Sequence, residues 1–443
     1  MLLNPVRHET TFFAALIKKP SFGNQHPQVD ASQNIATITD LFTPFLDTFQ
    51  LSKPSLDKIQ KAFPTPKSYA FAGDNFGPVD PKFLSILGTA LSLQHMTYQK
   101  GGDLLQASKK VFQKAFENHP DEPVVTFCLP TGTAAGRLVM TPVLKSVDAI
   151  IAADNAHLYN RECSSHFKLN QASVYTIPTT QGKLTAKAFK TFMDEYQQKG
   201  HWQYPNNAKP KVLSISQPTE YGAIYSDTEV KALADLAHQH GMLLHMDGSR
   251  LFYVAGETGK SLKALTTELG VDMLFIGGSK SKMAMAELAV FTPNFFKNAK
   301  GYSRHDTPES LELELKSYAK QYGLNVGQAV GSTAQFAYAL ESGYATKLTK
   351  NACDMAKQLE KRLTSLPHIE LATPTETNMV LVKMPSELLK ALRQHYELMV
   401  FTPDTRKPHE VAVRFMTHAG TTPAEIDTLI HDIQTLSQKT HQG

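Results

Sequence analysis

Two charged residues follow apolar runs at positions that suit cofactor chemistry. Asp247 directly follows the apolar segment 242–246, and Lys280 follows a second apolar run and the small residues 277–279. Residues at the carboxyl ends of neighbouring parallel strands face a common crevice, so we expect Asp247 and Lys280 to share one cavity. Pyridoxal phosphate chemistry needs both groups, because a lysine amine holds the aldehyde as a Schiff base and an acid keeps the pyridine nitrogen protonated.

Lys282 is the rival of Lys280 for the cofactor aldehyde. Lys280 comes directly after Gly277, Gly278 and Ser279 at the expected end of a strand, whereas by Lys282 the chain is expected to have turned away. The hydroxyl of Ser279 is expected to reach a phosphate oxygen. We therefore predict that Lys280 carries the cofactor, against the alternative that a loop lysine is simply solvent-exposed.

A glycine-containing turn follows the apolar run 124–129 and begins a helical pattern that extends to Leu144. Backbone N–H groups and the positive end of a helix dipole favour a phosphate, and a hydroxyl adds a further donor. We predict that Gly132 and Thr133 hold the cofactor phosphate. The alternative is an ordinary helix cap.

His157 follows the next apolar run, 149–153. An imidazole at this position can lie over a cofactor ring and exchange a proton near neutral pH, so we predict a catalytic role for it beside Lys280 and Asp247. A packed or solvated histidine is the alternative interpretation. For Asp247 the alternative is a strand-end acid that caps the next turn.

Arg250 and Arg414 are candidates for binding the carboxylate of an amino-acid substrate, because a guanidinium can bind a carboxylate with two parallel hydrogen bonds. Arg414 lies inside the apolar run 411–415, where an unpaired charge is costly. An internal salt bridge is the alternative for Arg414.

The elements that must position these residues alternate along the chain. Apolar runs separated mostly by helical patterns predict an α/β domain with a mostly parallel sheet covered on both faces. The seven predicted strands are 124–129, 149–153, 174–177, 212–215, 242–246, 273–276 and 288–291.

Beyond about residue 325 the pattern changes to long helices followed by short strands. We predict three parts: an N-terminal arm over 1–68, a large domain over 69–325 and a smaller α+β domain over 326–443. Short helices are expected in the arm at 38–49 and 55–63.

Composition favours a small-molecule partner. The net charge is +4 and is spread along the chain, so the sequence gives no reason to expect a nucleic-acid partner. The three cysteines lack metal-ligand spacing and cannot form a disulfide framework, which predicts a cytoplasmic protein without a metal site. The chain has no apolar run of membrane-spanning length, so no membrane partner is expected.

The ordered set of motifs resembles the low-specificity L-threonine aldolases. These are aspartate-aminotransferase-like, fold-type-I pyridoxal enzymes, beside the β-eliminating lyases. The resemblance covers roughly residues 70 to 440, and it lies in the motifs at 71–75, 132–135, 157, 217–220, 244–250, 277–280, 287–291 and 376–378.

The resemblance implies a role for each candidate residue. Lys280 would bind the cofactor, Asp247 would pair with its ring nitrogen, and His157 would stack on its ring. The remaining roles are phosphate binding by Gly132 and Thr133, and substrate-carboxylate binding by Arg250 and Arg414. Arg250 and Ser279 are also expected among the cofactor-binding residues.

The chain departs from the family at three places. Gly73 stands where serine is common, the segment after Gly327-Gln328 lacks the family's arginine, and the N-terminal arm is extra.

The implied activity is cleavage of a β-hydroxy-α-amino acid to glycine and an aldehyde. One alternative is β-elimination or another amino-acid transformation on the same fold. A second, of a different class, is a catalytically weakened scaffold that still binds the cofactor. The resemblance also implies a homodimer or homotetramer, with the arm packed on the large domain or on the partner subunit.

Overall fold

The computed structural model describes residues 37–47, 67–92, 103–200, 206–299, 307–327, 329–401 and 409–440. Within these ranges the chain forms a seven-stranded and a four-stranded sheet. The strands of the large sheet are β1 (Val125–Leu129), β2 (Asp148–Ala153), β3 (Ser173–Ile177), β4 (Lys209–Ser216), β5 (Leu243–Gly248), β6 (Met273–Gly277) and β7 (Glu287–Phe291).

The large sheet has the order β1-β7-β6-β5-β4-β2-β3. Strands β2 to β6 are parallel, while β7 is antiparallel to both β1 and β6, so β1 runs in the same direction as β6. The predicted mostly parallel sheet is confirmed. Its topology brings the carboxyl ends of β1, β2, β4, β5 and β6 to one edge of the sheet.

Alternate residues of the strands pack into two separate apolar clusters, one on each face of the large sheet. Leu244 and Ile276 belong to one cluster, whereas Leu243 and Phe275 belong to the other. Because both faces of the sheet are buried, the strands are continuous apolar runs in the amino-acid sequence.

The α-helices have varied lengths and surround both sheets. They are Ile38–Phe42, Pro81–Ser92, Asp103–Phe116, Gly132–Met140, His157–Asn160, Ser165–Asn170, Ala186–Gln198, Asp227–Gln239, Leu251–Thr258, Leu262–Leu265, Pro293–Asn298, Pro308–Gln321, Val330–Ser342, Tyr344–Leu363, Ser386–Leu392 and Pro423–Thr440. Short 3-10 helices cover Thr43–Phe45, Thr267–Leu269 and Ser279–Ser281. None of these described helices is both long and apolar enough to cross a membrane.

The observed helices differ in part from the predicted ones. The helix predicted to reach Leu144 ends at Met140, because Pro142 has no amide N–H to continue it. The helix expected at 38–49 begins as predicted, with an α-helix to Phe42 and a 3-10 turn to Phe45, while the one expected at 55–63 lies outside the described residues.

The C-terminal module is built on the antiparallel sheet β10-β11-β9-β8, whose strands are β8 (Glu370–Leu371), β9 (Met379–Pro385), β10 (Met399–Val400) and β11 (Glu410–Met416). Its own apolar cluster includes Phe71 from the N-terminal side of the chain. Helix Val330–Ser342 packs instead into the core of the large sheet, through residues such as Phe336. The domain limits at 68 and 325 stay predictions.

Candidate active site

The turns after β5 and β6 are in contact because glycines remove the side chains that would separate them. A Cβ on Gly248 would lie 2.6 Å from the Phe275 carbonyl oxygen, and one on Gly277 would overlap the Ser249 carbonyl. Such close backbone approach is open only to glycine. The sequence therefore brings the ends of the two strands, and the residues that follow them, into one place.

Asp247 and Lys280 lie at this junction. Asp247 is buried at the end of β5, where its Oδ1 accepts a hydrogen bond from Ser249 N–H at 3.0 Å. Burial raises the pKa of Asp247, the charges of Lys280 and His157 lower it, and the charge of Glu220 raises it. Lys280 and His157 are thus near enough to Asp247 for their charges to act on its carboxylate. The cavity shared by Asp247 and Lys280 stays a prediction.

His157 is held by a carboxylate that the sequence analysis missed. His157 Nδ1 lies 3.2 Å from Glu162 Oε1, and the other Glu162 oxygen lies 3.3 Å from Arg137 Nε and accepts from Ser165 Oγ at 3.0 Å. The hydrogen bond that His157 donates to Glu162 raises the pKa of His157, and burial opposes this. Burial also acts on Glu162, yet His157 and Arg137 lower its pKa to about 2.

Arg250 is already paired. Its Nε donates to Asp74 Oδ2 at 2.6 Å and its Nη2 donates to Oδ1 at 3.3 Å. Burial tends to raise the pKa of Asp74, but Arg250, Lys280 and Arg414 together lower it to about 2. A role for Arg250 at a substrate carboxylate stays a prediction, and Asp74 is the residue that would orient it.

Arg414 projects from β11 and is buried, with 8% of its surface exposed. Its Nε has no hydrogen-bond partner in the described part of the chain. Burial and the nearby charge of Arg250 lower the pKa of Arg414, while Asp74 and Glu220 raise it. A buried guanidinium whose Nε lacks a partner among the described residues is suited to an anionic ligand.

The lysine turn has a carboxylate beneath it. Glu287 Oε2 accepts from Gly278 N–H at 3.2 Å, and Ser279 lies near the same carboxylate. Burial raises the pKa of Glu287 to about 7, and Ser279 and Lys280 oppose the rise. The expected contact between Ser279 and a phosphate stays a prediction.

Lys282 and Lys280 differ in their surroundings. Lys282 is 3% exposed and its ammonium donates to the backbone oxygen of Asp74 at 2.8 Å, whereas Lys280 is half-buried near the Asp247 carboxylate. These positions agree with the choice of Lys280 over Lys282 as the cofactor lysine.

Gly132 and Thr133 begin the helix that follows β1, at the same edge of the sheet. The Thr131 side chain caps this helix by accepting from Ala134 N–H. A Cβ on Gly132 would contact the Phe275 ring of β6 at 3.6 Å, so the helix start lies against the strand that leads to Lys280. Its remaining N–H groups fit the predicted phosphate cradle.

Comparisons with known proteins identify relatives of this chain. Residues 91–386 match the family described as beta-eliminating lyase. The low specificity L-threonine aldolase of Pseudomonas sp. (strain NCIMB 10558) is 28% identical over 331 residues, which cover 74% of this chain and 88% of the relative.

Solved structures show the same fold. The Leishmania major threonine aldolase superposes with a TM-score of 0.71 at 20% identity, covering 84% of this chain and 99% of that one. The Sphingomonas wittichii serine palmitoyltransferase superposes with a TM-score of 0.58 at 13% identity, covering 85% and 87%. The fold is thus the fold-type-I architecture expected from the motifs.

Proposed function

This chain belongs to the beta-eliminating lyase family, and on that premise we propose that it cleaves β-hydroxy-α-amino acids, of the threonine and allo-threonine kind, to glycine and an aldehyde. The enzyme is a lyase that depends on pyridoxal 5′-phosphate. When bound, this cofactor withdraws electrons from the amino acid and so weakens the bond between Cα and Cβ. The relatives named threonine aldolase support this choice of reaction within the family.

The residues at the sheet edge fit this cofactor. Lys280 supplies an amine, the buried Asp247 supplies a negative charge to hold a ring nitrogen protonated, and the helix start at Gly132 and Thr133 supplies N–H donors. Arg414, whose buried Nε is unpartnered in the described residues, suits the carboxylate of the amino acid. In this proposal Arg250 assists it while Asp74 fixes its position.

His157 is proposed as the proton acceptor for the β-hydroxyl. Because Nδ1 faces Glu162, this nitrogen keeps its proton and the Nε2 lone pair is the basic site. The β-hydroxyl proton passes to Nε2, either directly or through a water, as the Cα–Cβ bond breaks. Glu162 stabilises the imidazolium that results.

The proposal is supported by the buried Asp247, on which the charges of Lys280 and His157 act, and by Arg414, whose Nε lacks a partner among the described residues. The first test is borohydride reduction of the cofactor-loaded protein followed by peptide mapping. We expect the pyridoxyl group on Lys280. The Lys280→Ala variant is the negative control, and a label on Lys282 would refute the assignment.

The second test is product analysis with L-threonine and L-allo-threonine. We expect equal amounts of glycine and acetaldehyde. Release of ammonia and a keto acid would instead indicate β-elimination, and binding of the cofactor without any product would indicate the scaffold role.

We also propose a homodimer or homotetramer that acts in the cytoplasm. Large apolar side chains near the site elements are exposed, among them Phe76, Tyr159 and Met285, and such groups are typical of subunit contacts. The three cysteines are free, which suits a reducing compartment. Sedimentation of the cofactor-loaded protein tests the assembly, and an active monomer would refute it.

A further inference from the structure

Lys282 has a backbone conformation that lysine rarely adopts. Its φ is +74°, in the left-handed region that favours glycine. Its side chain is nevertheless buried to 3% exposure, which desolvates an ammonium. A lysine at this position is unfavourable on both counts, so its contacts must account for it.

Lys282 contacts both ends of the segment 74–80, which we name the 74–80 loop. Its ammonium donates to the Asp74 backbone oxygen at 2.8 Å, and its own backbone oxygen accepts from Asp80 N–H at 3.0 Å. The loop also packs closely on this side chain, because a Cβ on Gly77 would overlap Lys282 Nζ. One residue therefore holds the loop at both ends and along its length.

The surroundings leave Asp74 as the group that compensates the ammonium. His418 lies beside Gly77, but its Nδ1 accepts from Gly420 N–H at 3.1 Å, and burial together with Lys282 lowers the pKa of His418 to about 4. His418 is thus neutral at physiological pH. Burial lowers the pKa of Lys282 to about 8 and Asp74 opposes this, so Lys282 is mostly charged near neutrality.

The loop matters because it carries the carboxylate that pairs with Arg250. Asp74 binds Arg250 through both of its oxygens, and Asn378 Nδ2 approaches Oδ2 at 3.5 Å. A shift of the Asp74 backbone would displace this carboxylate and the guanidinium with it. Lys282 therefore acts at a distance on the position of Arg250.

We propose that Lys282 is a positioning residue whose ammonium fastens the 74–80 loop and thereby sets the Asp74–Arg250 pair for binding of the substrate carboxylate. The contact between Lys282 and the loop does not depend on the reaction. Its effect on substrate binding rests on the proposed function.

The first test is hydrogen–deuterium exchange of peptides that span 74–80 in the cofactor-loaded protein. Lys282→Met keeps an aliphatic side chain without the charge, and Lys282→Gly removes the charge while relieving the backbone conformation. We expect about tenfold faster exchange of the loop in both variants, since a hydrogen bond from a charged group is lost.

A matched control tests whether relief of a left-handed backbone elsewhere in the chain affects the loop. Gln171 is exposed and also has a left-handed φ of +57°, so Gln171→Gly relieves a similar conformation away from the site. It should leave exchange of the 74–80 loop unchanged. Wild-type exchange of the loop in either Lys282 variant would overturn the proposal.

The second test measures binding of glycine, from the change in cofactor absorbance, together with KM and kcat for L-allo-threonine. We expect the glycine dissociation constant and KM to rise about tenfold and kcat to stay within about threefold, as for loss of uniform binding. If no β-hydroxy amino acid is cleaved, the proposed function fails, and the exchange experiment still decides the role of Lys282. If cleavage proceeds with wild-type glycine binding and KM in both variants, the link to Arg250 is wrong while the function stands.

Discussion

Replacement of Arg414 by methionine should make the protein more stable and a poorer enzyme. Arg414 is 8% exposed and its Nε has no partner in the described residues, so the folded protein carries the cost of an incompletely bonded buried cation. The neighbouring charge of Arg250 adds repulsion. Methionine retains an aliphatic stem of similar length and removes both penalties.

The structure sets the size of both effects. A buried polar group without a partner costs about 1–3 kcal/mol, so we expect the free energy of unfolding of the cofactor-free protein to rise by about 1 kcal/mol after some packing is lost. A hydrogen bond to a charged group contributes about 1.5–3 kcal/mol. At 1.4 kcal/mol per factor of ten, KM should rise about 10- to 150-fold.

Urea unfolding of the cofactor-free protein and steady-state kinetics with L-allo-threonine measure these quantities. Arg362→Met is the matched control, because Arg362 Nη1 forms an exposed ion pair with Asp427 at 2.6 Å. This control should lower stability by less than about 1 kcal/mol and leave KM unchanged. A destabilised Arg414→Met protein with an unchanged KM would show that Arg414 belongs to an internal salt bridge and would refute the reasoning.

Two further substitutions test the proton chemistry. Asp247→Asn removes the charge expected to hold the ring nitrogen protonated, and kcat should fall by about 10²–10⁴-fold; activity within about threefold of wild type would exclude that role. Glu162→Gln weakens the hydrogen bond that raises the pKa of His157. Because His157 must be neutral to accept a proton, the acidic limb of the pH–rate profile should move to lower pH, and an unmoved limb would exclude His157 as the base. The bond to His157 stabilises the folded protein below the ordinary histidine pKa, and this contribution is lost as pH rises through the raised value. The pairing of Glu162 with Arg137 acts at neutral pH as well, so the variant should lose stability there too, and most in mild acid.

The strands and the residues at their ends were predictable because of how the sheet is covered. Both faces of β5 and β6 are buried, so each strand is a continuous apolar run and the first polar residues mark its end. Helix Tyr344–Leu363 is one of the long helices expected beyond residue 325, and it was predictable because its buried residues recur on one face. Helix ends set by a single backbone group, such as the helix end before Pro142, were harder to predict from the sequence.

The partners that hold the site residues could not be read from local patterns. Arg250 and its partner Asp74 are 176 residues apart, and Lys282 and the Asp74 carbonyl are 208 apart. Periodicity reports only which face of an element is buried, and not which distant loop covers it. Glu162 lies only five residues after His157. Nothing in its local sequence, however, distinguishes it from a solvated surface acid.

Arg250 and Arg414 repel each other near the substrate side of the site, and a substrate carboxylate would offset this repulsion. Arg250, Arg414 and Lys280 all lower the pKa of Asp74, so three cations act on one carboxylate. Glu220 raises the pKa of Arg414 without a hydrogen bond to its Nε. An amino acid brings a carboxylate to this cluster, and its charge offsets the repulsion between the two arginines while completing the bonds of Arg414. Substrates that lack a free carboxylate should therefore lose binding to a similar degree as the Arg414→Met variant, and the two losses should not add, because both remove the same interaction.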